Sequence, residues 1–405
     1  MSREKIDGQL FSYTGPAFHY INEEERHFFA KEPAQFRVNL IGCGMIGMEH
    51  MRVATRVGRS AIHGVFDLNE RSVKVAKEEF AKITDEDFKV YDSLEAACND
   101  PEVDGILICT PNFTHLDVLK VAIKSGKHIF MEKPMATKLE DAYEITKMAK
   151  EYGAVLQIGL QYRYKSIYSE AIHEVLERKA VGEVKMINIM EHRIPFLDKV
   201  NQWNKFSKFS GGTLVEKCCH YFDLMNLFAQ SRPVRVYANG SQSTNFRDFE
   251  FKGEKSDILD SAFVTVEYEN GVRAGFNLCM FAPMFHEELL VCGDEGRVKA
   301  AEIEDFSENA RLRTEMEVFC GQNRPSKTSQ PSYPKLIEAS GHNGATWFEH
   351  IAFADQMAGK KTNSATVEEG FWSVVVGCAA EESVKTGKII EVAELLKSKG
   401  IDLFC

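Results

Sequence analysis

The sequence predicts two domains of different kinds. An α/β domain with a doubly wound parallel sheet spans residues 36–160, and an α+β domain with a large, mostly antiparallel open sheet spans 161–405. Residues 1–35 read as an N-terminal extension. Three observations carry this expectation. Apolar runs of strand length alternate with helical stretches through the first part of the chain. The later part changes to longer runs in which apolar and polar residues alternate with a period of two. Finally, 405 residues exceed what one hydrophobic core usually organises.

The elements follow in order. A short apolar strand, Val38 to Ile41, runs into Gly42, Gly44 and Gly47, after which a helix opens. "AIHGVFD" is a second strand that ends on Asp67. "VDGILICTP" (103–111) is a buried-strand pattern closed by a proline turn, and "LDVLKVAIKSG" is a helix stopped by Gly126. "KHIFMEKP", the helix "LEDAYEITKMAKEYG" and the strand "AVLQIG" complete the series. Right-handed crossovers then make the sheet doubly wound. Past Gly159 come the amphipathic strands "EVKMINIMEHR", "VRVYANGSQ", "SAFVTVEYEN", "VRAGFNLCMF" and "HEELLVCGDEGRV", with a hairpin signal at Asn270-Gly271. Residues 311–335, rich in Pro, Ser and Lys, read as a surface loop. His342 precedes a helix beginning near Ala345, and "GFWSVVVGCAAEESVKTG" is a last helix, apolar on most sides. The extension, with Glu23 to Glu25 and the pair Phe28 and Phe29, is expected to pack on the body or on a neighbouring subunit.

Composition narrows the function. A net charge of -11 and the lack of a basic stripe speak against nucleic acid and anionic membranes. No apolar run approaches the length of a membrane span. Ten cysteines occur without CxxC pairs or histidines at ligand spacing, so thiols rather than disulfides or a metal site are expected. The N-terminus lacks the apolar core of a signal peptide, and a cytoplasmic location is expected.

The glycine loop is more specific because of its setting. A strand precedes "GCGMIG", a helix follows, and Asp67 lies twenty residues past Gly47. Gly42 permits the tight turn, Gly44 lets a pyrophosphate approach the backbone, and Gly47 packs helix against strand. Met45 and Ile46 open the helix whose N-terminus attracts the anion. Asp67 would accept from ribose hydroxyls and repel a 2′-phosphate, which favours NAD over NADP. Ligands of such sheets sit at the strand C-terminal ends, which places Thr110, Pro111, Asn112, Glu132, Lys133, Pro134 and Gln161 on the cofactor side.

"GGTLVEKCCHYFDL" (211–224) admits two readings. Thr213 and Glu216 have the spacing of a capping box. Glu216 and His220 are also four apart, on one helix face with Asp223 a turn further on, and a carboxylate beside an imidazole is proton-transfer equipment. Lys217 is a third polar contact or a solvated residue, and Cys218 and Cys219 are small core or pocket-wall residues.

Taken together, "GCGMIG", "CTPNFTH" (109–115) with "GKHIFMEKP" (126–134), "GLQYRY" (159–164) and "GGTLVEKCCHYFDL" resemble the Gfo/Idh/MocA oxidoreductases from about residue 36 onward. The resemblance implies that Thr110, Pro111, Asn112 and His115 contact the dinucleotide and that Glu132 lies near the nicotinamide ribose. It implies that Lys133 reaches nicotinamide and substrate, with Glu216 and His220 at the family's catalytic Asp-x-x-x-His. The chain departs from the pattern there, with Glu for Asp and Cys218 where many members have Gly. Arg163, Trp203 of "NQWNKF" and His342 in a GHxG turn are further candidate substrate contacts. The implied activity is an NAD-dependent dehydrogenase acting on a secondary hydroxyl of a sugar, sugar derivative or cyclitol, in a homodimer or homotetramer formed through the open sheet face. A redox-neutral NAD-dependent glycosidase and a non-catalytic NAD or sugar sensor are the alternatives.

Overall fold

The computed structural model describes residues 34–305, 312–321 and 325–402. Most of the N-terminal extension, with its acidic and aromatic clusters, lies outside the described residues. Contacts divide the chain into two compact units. Of the described residues, the first comprises those up to Glu132, Glu151–Lys165 and Tyr333–Ser364; the second comprises Lys133–Lys150, those within Ser166–Ser332 and those from Ala365 onward.

In the first unit the strands are β1 (Phe36–Ile41), β2 (Ser60–Phe66), β3 (Lys89–Val90), β4 (Gly105–Ile108), β5 (His128–Glu132) and β6 (Leu156–Gly159). They form one parallel sheet in the order β3-β2-β1-β4-β5-β6. Its helices begin with α1 (Met45–Val57), α2 (Glu70–Phe80), α3 (Leu94–Asn99) and α4 (His115–Ala122). The strand order reverses direction between β1 and β4, and such a switch point is where nucleotide ligands settle. Val38, Leu40, Met51, Ala54, Ile62 and Phe130 fill the core. That core also takes Phe353, Ala354 and Met357 from a helix far along the chain, Ala345–Met357. Phe353 meets Phe130 edge to face at 5.7 Å, and burying a Phe of this kind contributes about 2–3 kcal/mol.

In the second unit α5 (Leu139–Lys150) and α6 (Ser166–Ile172) are followed by β7 (Val184–His192), three short helices α7 (Ser207–Ser210), α8 (Thr213–Glu216) and α9 (Cys219–Ala229), and β8 (Pro233–Ser241). After the small ribbon β9 (Glu250–Phe251) and β10 (Glu254–Lys255) come β11 (Ser261–Tyr268), β12 (Arg273–Cys279), β13 (Met284–Gly293), β14 (Arg297–Asp305), β15 (Arg313–Phe319) and β16 (Lys327–Ser329). A final strand, β17 (Ile390–Glu391), completes a nine-stranded sheet in the order β16-β15-β14-β13-β7-β12-β11-β8-β17. Only the β7 and β12 pairing is parallel. The Asn270-Gly271 turn joins β11 to β12, with Gly271 at φ +89°. One sheet face is covered by α9 and by the helix Val367–Thr386, with Tyr221 stacked on Phe276 at 4.9 Å. The other face shows Phe263, 72% exposed, together with Met186 and Tyr237.

Two expectations need correction. Residues 311–335 are not one loop, because β15 and β16 run through them. Met316 and Val318 alternate inward while charged neighbours point out, and the charges mask the pattern. The helix Val367–Thr386 is not the last, since Val392–Ser398 follows it. Among the described residues every cysteine is a free thiol, and no helix is long and apolar enough to cross a membrane.

Candidate active site

The first unit assembles its polar groups at the C-terminal ends of β1, β2, β4 and β5. Gly42 holds φ +96°, and a Cβ there would meet the Cys109 carbonyl oxygen at 2.7 Å. A Cβ on Gly47 would lie 2.0 Å from the Gly42 oxygen, so helix and loop touch through this residue. A Cβ on Gly44 would meet nothing within 4 Å. Gly44 precedes α1, whose first amides, from Met45 onward, have no side-chain cap. Ile46 packs against the core, while Met45 is exposed. Asp67 follows β2 and is fixed by the loop itself: its Oδ2 accepts from the Cys43 amide at 2.7 Å and its Oδ1 from the Asn69 amide at 2.8 Å. Each oxygen keeps acceptor capacity. Burial pushes the Cys43 thiol up to about 12, which leaves it without nucleophilic character.

After β4, Pro111 opens a tight turn, Asn112–Thr114, that leads into α4. The Thr114 hydroxyl lies 2.7 Å from the Pro111 oxygen and 2.8 Å from the Thr110 hydroxyl, and His115 Nε2 lies 3.0 Å from the Thr110 oxygen. Asn112 Nδ2 and Gln161 Oε1 are buried without a hydrogen-bond partner. An unmatched buried donor and acceptor cost free energy until something binds them. Together with the open Gly44 and the uncapped helix end, they fit a dinucleotide. Glu132 is buried at the end of β5, with Oε1 2.7 Å from His50 Nε2, and His50 Nδ1 is 2.9 Å from His350 Nε2. Leu68 and Phe113 stand exposed beside Asp67 and Asn112.

The second unit gathers Lys133, Glu216 and their neighbours. Lys133 Nζ donates to the Glu216 carbonyl oxygen at 3.0 Å. The Glu216 carboxylate is buried and takes Lys199 Nζ at 3.1 Å, and that ammonium also lies 4.6 Å from the centre of the Trp203 ring. Burial pulls the carboxyl up, yet Lys199 and Lys133 more than offset this and bring it down to about 2. It is therefore ionised and a weak base at neutral pH. Lys217 is not solvated; it is buried and pairs with Glu191 Oε1 of β7 at 3.1 Å. His220 and Asp223 are buried in α9. Cys218 and Cys219 are buried too, and burial raises both thiols. Lys199 and Glu191 escaped the sequence reading, because pairs made across 17 and 26 residues leave no local spacing.

The capping box expected at Thr213 and Glu216 does not form. Gly212, at φ +96°, occupies the cap position, and the Thr213 hydroxyl donates instead to the Leu259 oxygen at 2.7 Å. The helix also breaks at Lys217 and Cys218, between α8 and α9. A distant carboxylate serves α8: Glu381 Oε1 accepts from the Leu214 amide at 2.9 Å. The pattern Thr-x-x-Glu does make a capping box elsewhere, at Thr366 and Glu369.

Burial pushes the Glu381 carboxyl up to about 7, against the Leu214 hydrogen bond and Lys385, which lower it. A carboxyl raised on folding binds more protons folded than unfolded, so its contribution is complete at low pH and is lost as pH rises through 7. Glu381→Gln removes this titration. Relative to the variant, the wild type should lose about 2.5 kcal/mol between pH 5 and pH 8. Denaturant unfolding at the two pH values checks this, and an unchanged difference would contradict it.

Arg163 and His342 belong to the first unit. Arg163 is buried with Nη1 3.5 Å from the Asn363 oxygen, and His342 Nδ1 lies 2.7 Å from Glu49 Oε1.

Residues 36–160 match the family model of the Gfo/Idh/MocA oxidoreductases with an NAD-binding Rossmann fold, and residues 173–392 match that family's C-terminal α/β domain. The chain belongs to this family. The uncharacterized oxidoreductase YrbE of Bacillus subtilis (strain 168) is 24% identical over 88% of this chain and 97% of its own length. The myo-inositol 2-dehydrogenase of Thermotoga maritima is 22% identical over 89% of this Gfo/Idh/MocA chain and 99% of its own. A solved scyllo-inositol dehydrogenase from Lactobacillus casei, with bound NAD(H) and scyllo-inositol, shares the fold at a TM-score of 0.68 and 19% identity, covering 88% of this chain and 99% of that one.

Proposed function

We propose that this family member is an NAD-dependent dehydrogenase that moves hydride between nicotinamide and a secondary hydroxyl of a sugar, sugar derivative or cyclitol. Two observations, each within its own unit, support the reading: Asn112 and Gln161 are buried and unmatched in the first, and in the second Lys133 donates to the backbone of Glu216, whose carboxylate is ionised. The names of the inositol dehydrogenase relatives support the substrate class.

Gly42, Gly44, Met45, Ile46, Gly47, Thr110, Pro111, Asn112, His115, Glu132 and Gln161 hold the dinucleotide. Asp67 takes the ribose hydroxyls, and its charge disfavours a 2′-phosphate, which favours NAD over NADP. When bound, the nicotinamide accepts hydride from the carbinol carbon or returns it. His220 takes the hydroxyl proton, since a positioned imidazole is matched to neutral pH. Lys133 donates to the substrate oxygen from a site already fixed by the Glu216 carbonyl. Glu216, too weak a base for the proton, binds a second hydroxyl and orients its neighbours. Trp203 and the ammonium of Lys199 lie within that same set. Arg163 and His342 remain candidate substrate contacts. We further propose that the open face bearing Met186, Tyr237 and Phe263 takes a second copy of the chain; sedimentation should give at least twice the mass of one chain, and the mass of a single chain would contradict it.

NADH absorbance on mixing the purified chain with NAD and a panel of aldoses, amino sugars, glycosides and cyclitols tests the reading. A rise with one group is the expected result. Release of free sugar from a glycoside without net NADH, or NAD binding with silence across the panel, would overturn it in favour of the glycosidase or the sensor.

A further inference from the structure

Behind Glu132 lies a second carboxyl that the proposed chemistry does not use. Glu349, on the helix Ala345–Met357, is fully buried, and neither of its oxygens has a hydrogen-bond partner. One of its oxygens, one oxygen of Glu132 and a ring nitrogen of His50 lie within 4.8 Å of one another. The neighbouring groups are accounted for. Glu49 of α1 is engaged by His342 and by Thr346 Oγ1 at 2.7 Å. His50 is held between Glu132 and His350. Burial and the adjacent His50 keep His350 well below the usual imidazole range, so it is neutral. Cys109, at the end of β4, is buried and also protonated. The turn after β6, which packs on the same helix, brings Tyr162, Arg163 and Tyr164; Arg163 reaches the Asn363 oxygen and Tyr164 the Ser364 hydroxyl.

Two carboxylates this close and this buried cannot both stay ionised without a bound cation. Glu132 already faces the His50 ring nitrogen, whereas Glu349 faces no donor. The geometry points to Glu349 as a neutral carboxylic acid that shares one proton with Glu132, making the pair a positioning site that gives up its proton when oxidised dinucleotide binds. Burial first, then the charges of Glu132 and Glu49, push the Glu349 carboxyl well above the usual carboxylate range, which agrees with this placement. The coupling rests on the dinucleotide reading proposed above. Glu132 closes β5 at the strand ends where such sheets take their ligands, and the family resemblance implies that it lies near the nicotinamide ribose. The oxidised ring carries a positive charge and the reduced ring does not, so only the oxidised form favours the ionised pair. Glu349 acts on the cofactor through Glu132 rather than by contact.

The test uses the full chain, wild type and Glu349→Gln; the amide is the shape of the neutral acid, so the variant should fold. Infrared spectroscopy of the free protein should show the carbonyl band of a protonated carboxyl that is lost in E349Q. Titration calorimetry near neutral pH, in two buffers of different ionisation enthalpy, should show release of about half to one proton on binding NAD, little on binding NADH, and none in E349Q with either. A purely structural role for Glu349 would lower stability in the variant and leave the proton count unchanged, which would overturn the proposal. So would the absence of the band, or a stoichiometric divalent metal in the purified protein. If neither dinucleotide binds, the dinucleotide reading and the coupling both fall, while the band still reports whether Glu349 holds its proton.

Discussion

Lys133→Met and His220→Asn should each lower turnover of the responding substrate by a factor on the order of 10²–10⁴, the usual worth of a positioned proton-transfer group. The dissociation constant for NAD should stay within about a factor of three of the wild type, because neither residue belongs to the glycine loop, the Thr110 turn or the Asp67 corner. Steady-state kinetics and calorimetry on the same preparations separate the two quantities. Glu216→Gln gives the contrast. Lys133 rests on the Glu216 carbonyl rather than its carboxylate, so the amide leaves that anchor in place. It removes the charge that holds Lys199, so substrate affinity should weaken more than the chemical step. Retained turnover in both the Lys133 and His220 variants would overturn the assignment of the site. Retained turnover in the Glu216 variant alone would not, since a carboxyl held near 2 is no base at neutral pH.

The first unit was legible because its signals are local. Each strand is a short apolar run followed at once by a turn residue whose reason is steric, and the Gly42 and Gly47 contacts show that reason in ångströms. The hairpin at Asn270-Gly271 was legible for the same cause. What stayed hidden depends on long-range partners. The helix Ala345–Met357 carries Phe353 into a core built by residues some three hundred positions earlier, and no periodicity announces that. The stretch 211–224 shows the limit most clearly. Its Thr-x-x-Glu spacing satisfies the capping rule, yet a glycine at positive φ and a carboxylate from Glu381 occupy the places that the rule gives to Thr213 and Glu216. Spacing singled out Thr213 and Glu216 but could not say which partner each would choose, because Lys199, Leu259 and Glu381 reach the segment only after folding.

Gly44→Ala and Gly47→Ala should fail in opposite ways. At Gly47 the added methyl would lie 2.0 Å from the Gly42 oxygen and 3.1 Å from the carbon behind it, both backbone atoms that cannot swing aside. Helix α1 must move off the loop, so a net loss of about 1–3 kcal/mol is expected even after the helix-propensity gain of alanine. Dinucleotide affinity should fall with it. At Gly44 the backbone sits at φ -72° and ψ -171°, which alanine adopts freely, and the methyl meets no protein atom within 4 Å. The fold should be indifferent, within about 0.5 kcal/mol. NAD affinity should still drop by about one to two orders of magnitude, because the methyl stands where a pyrophosphate would approach the backbone amides. Thermal unfolding beside calorimetric titration reads both effects. Since the protein itself leaves the space at Gly44 unused, a Gly44→Ala variant that binds NAD as tightly as the wild type would mean that the dinucleotide does not lie over this loop, whatever the match of the glycine pattern.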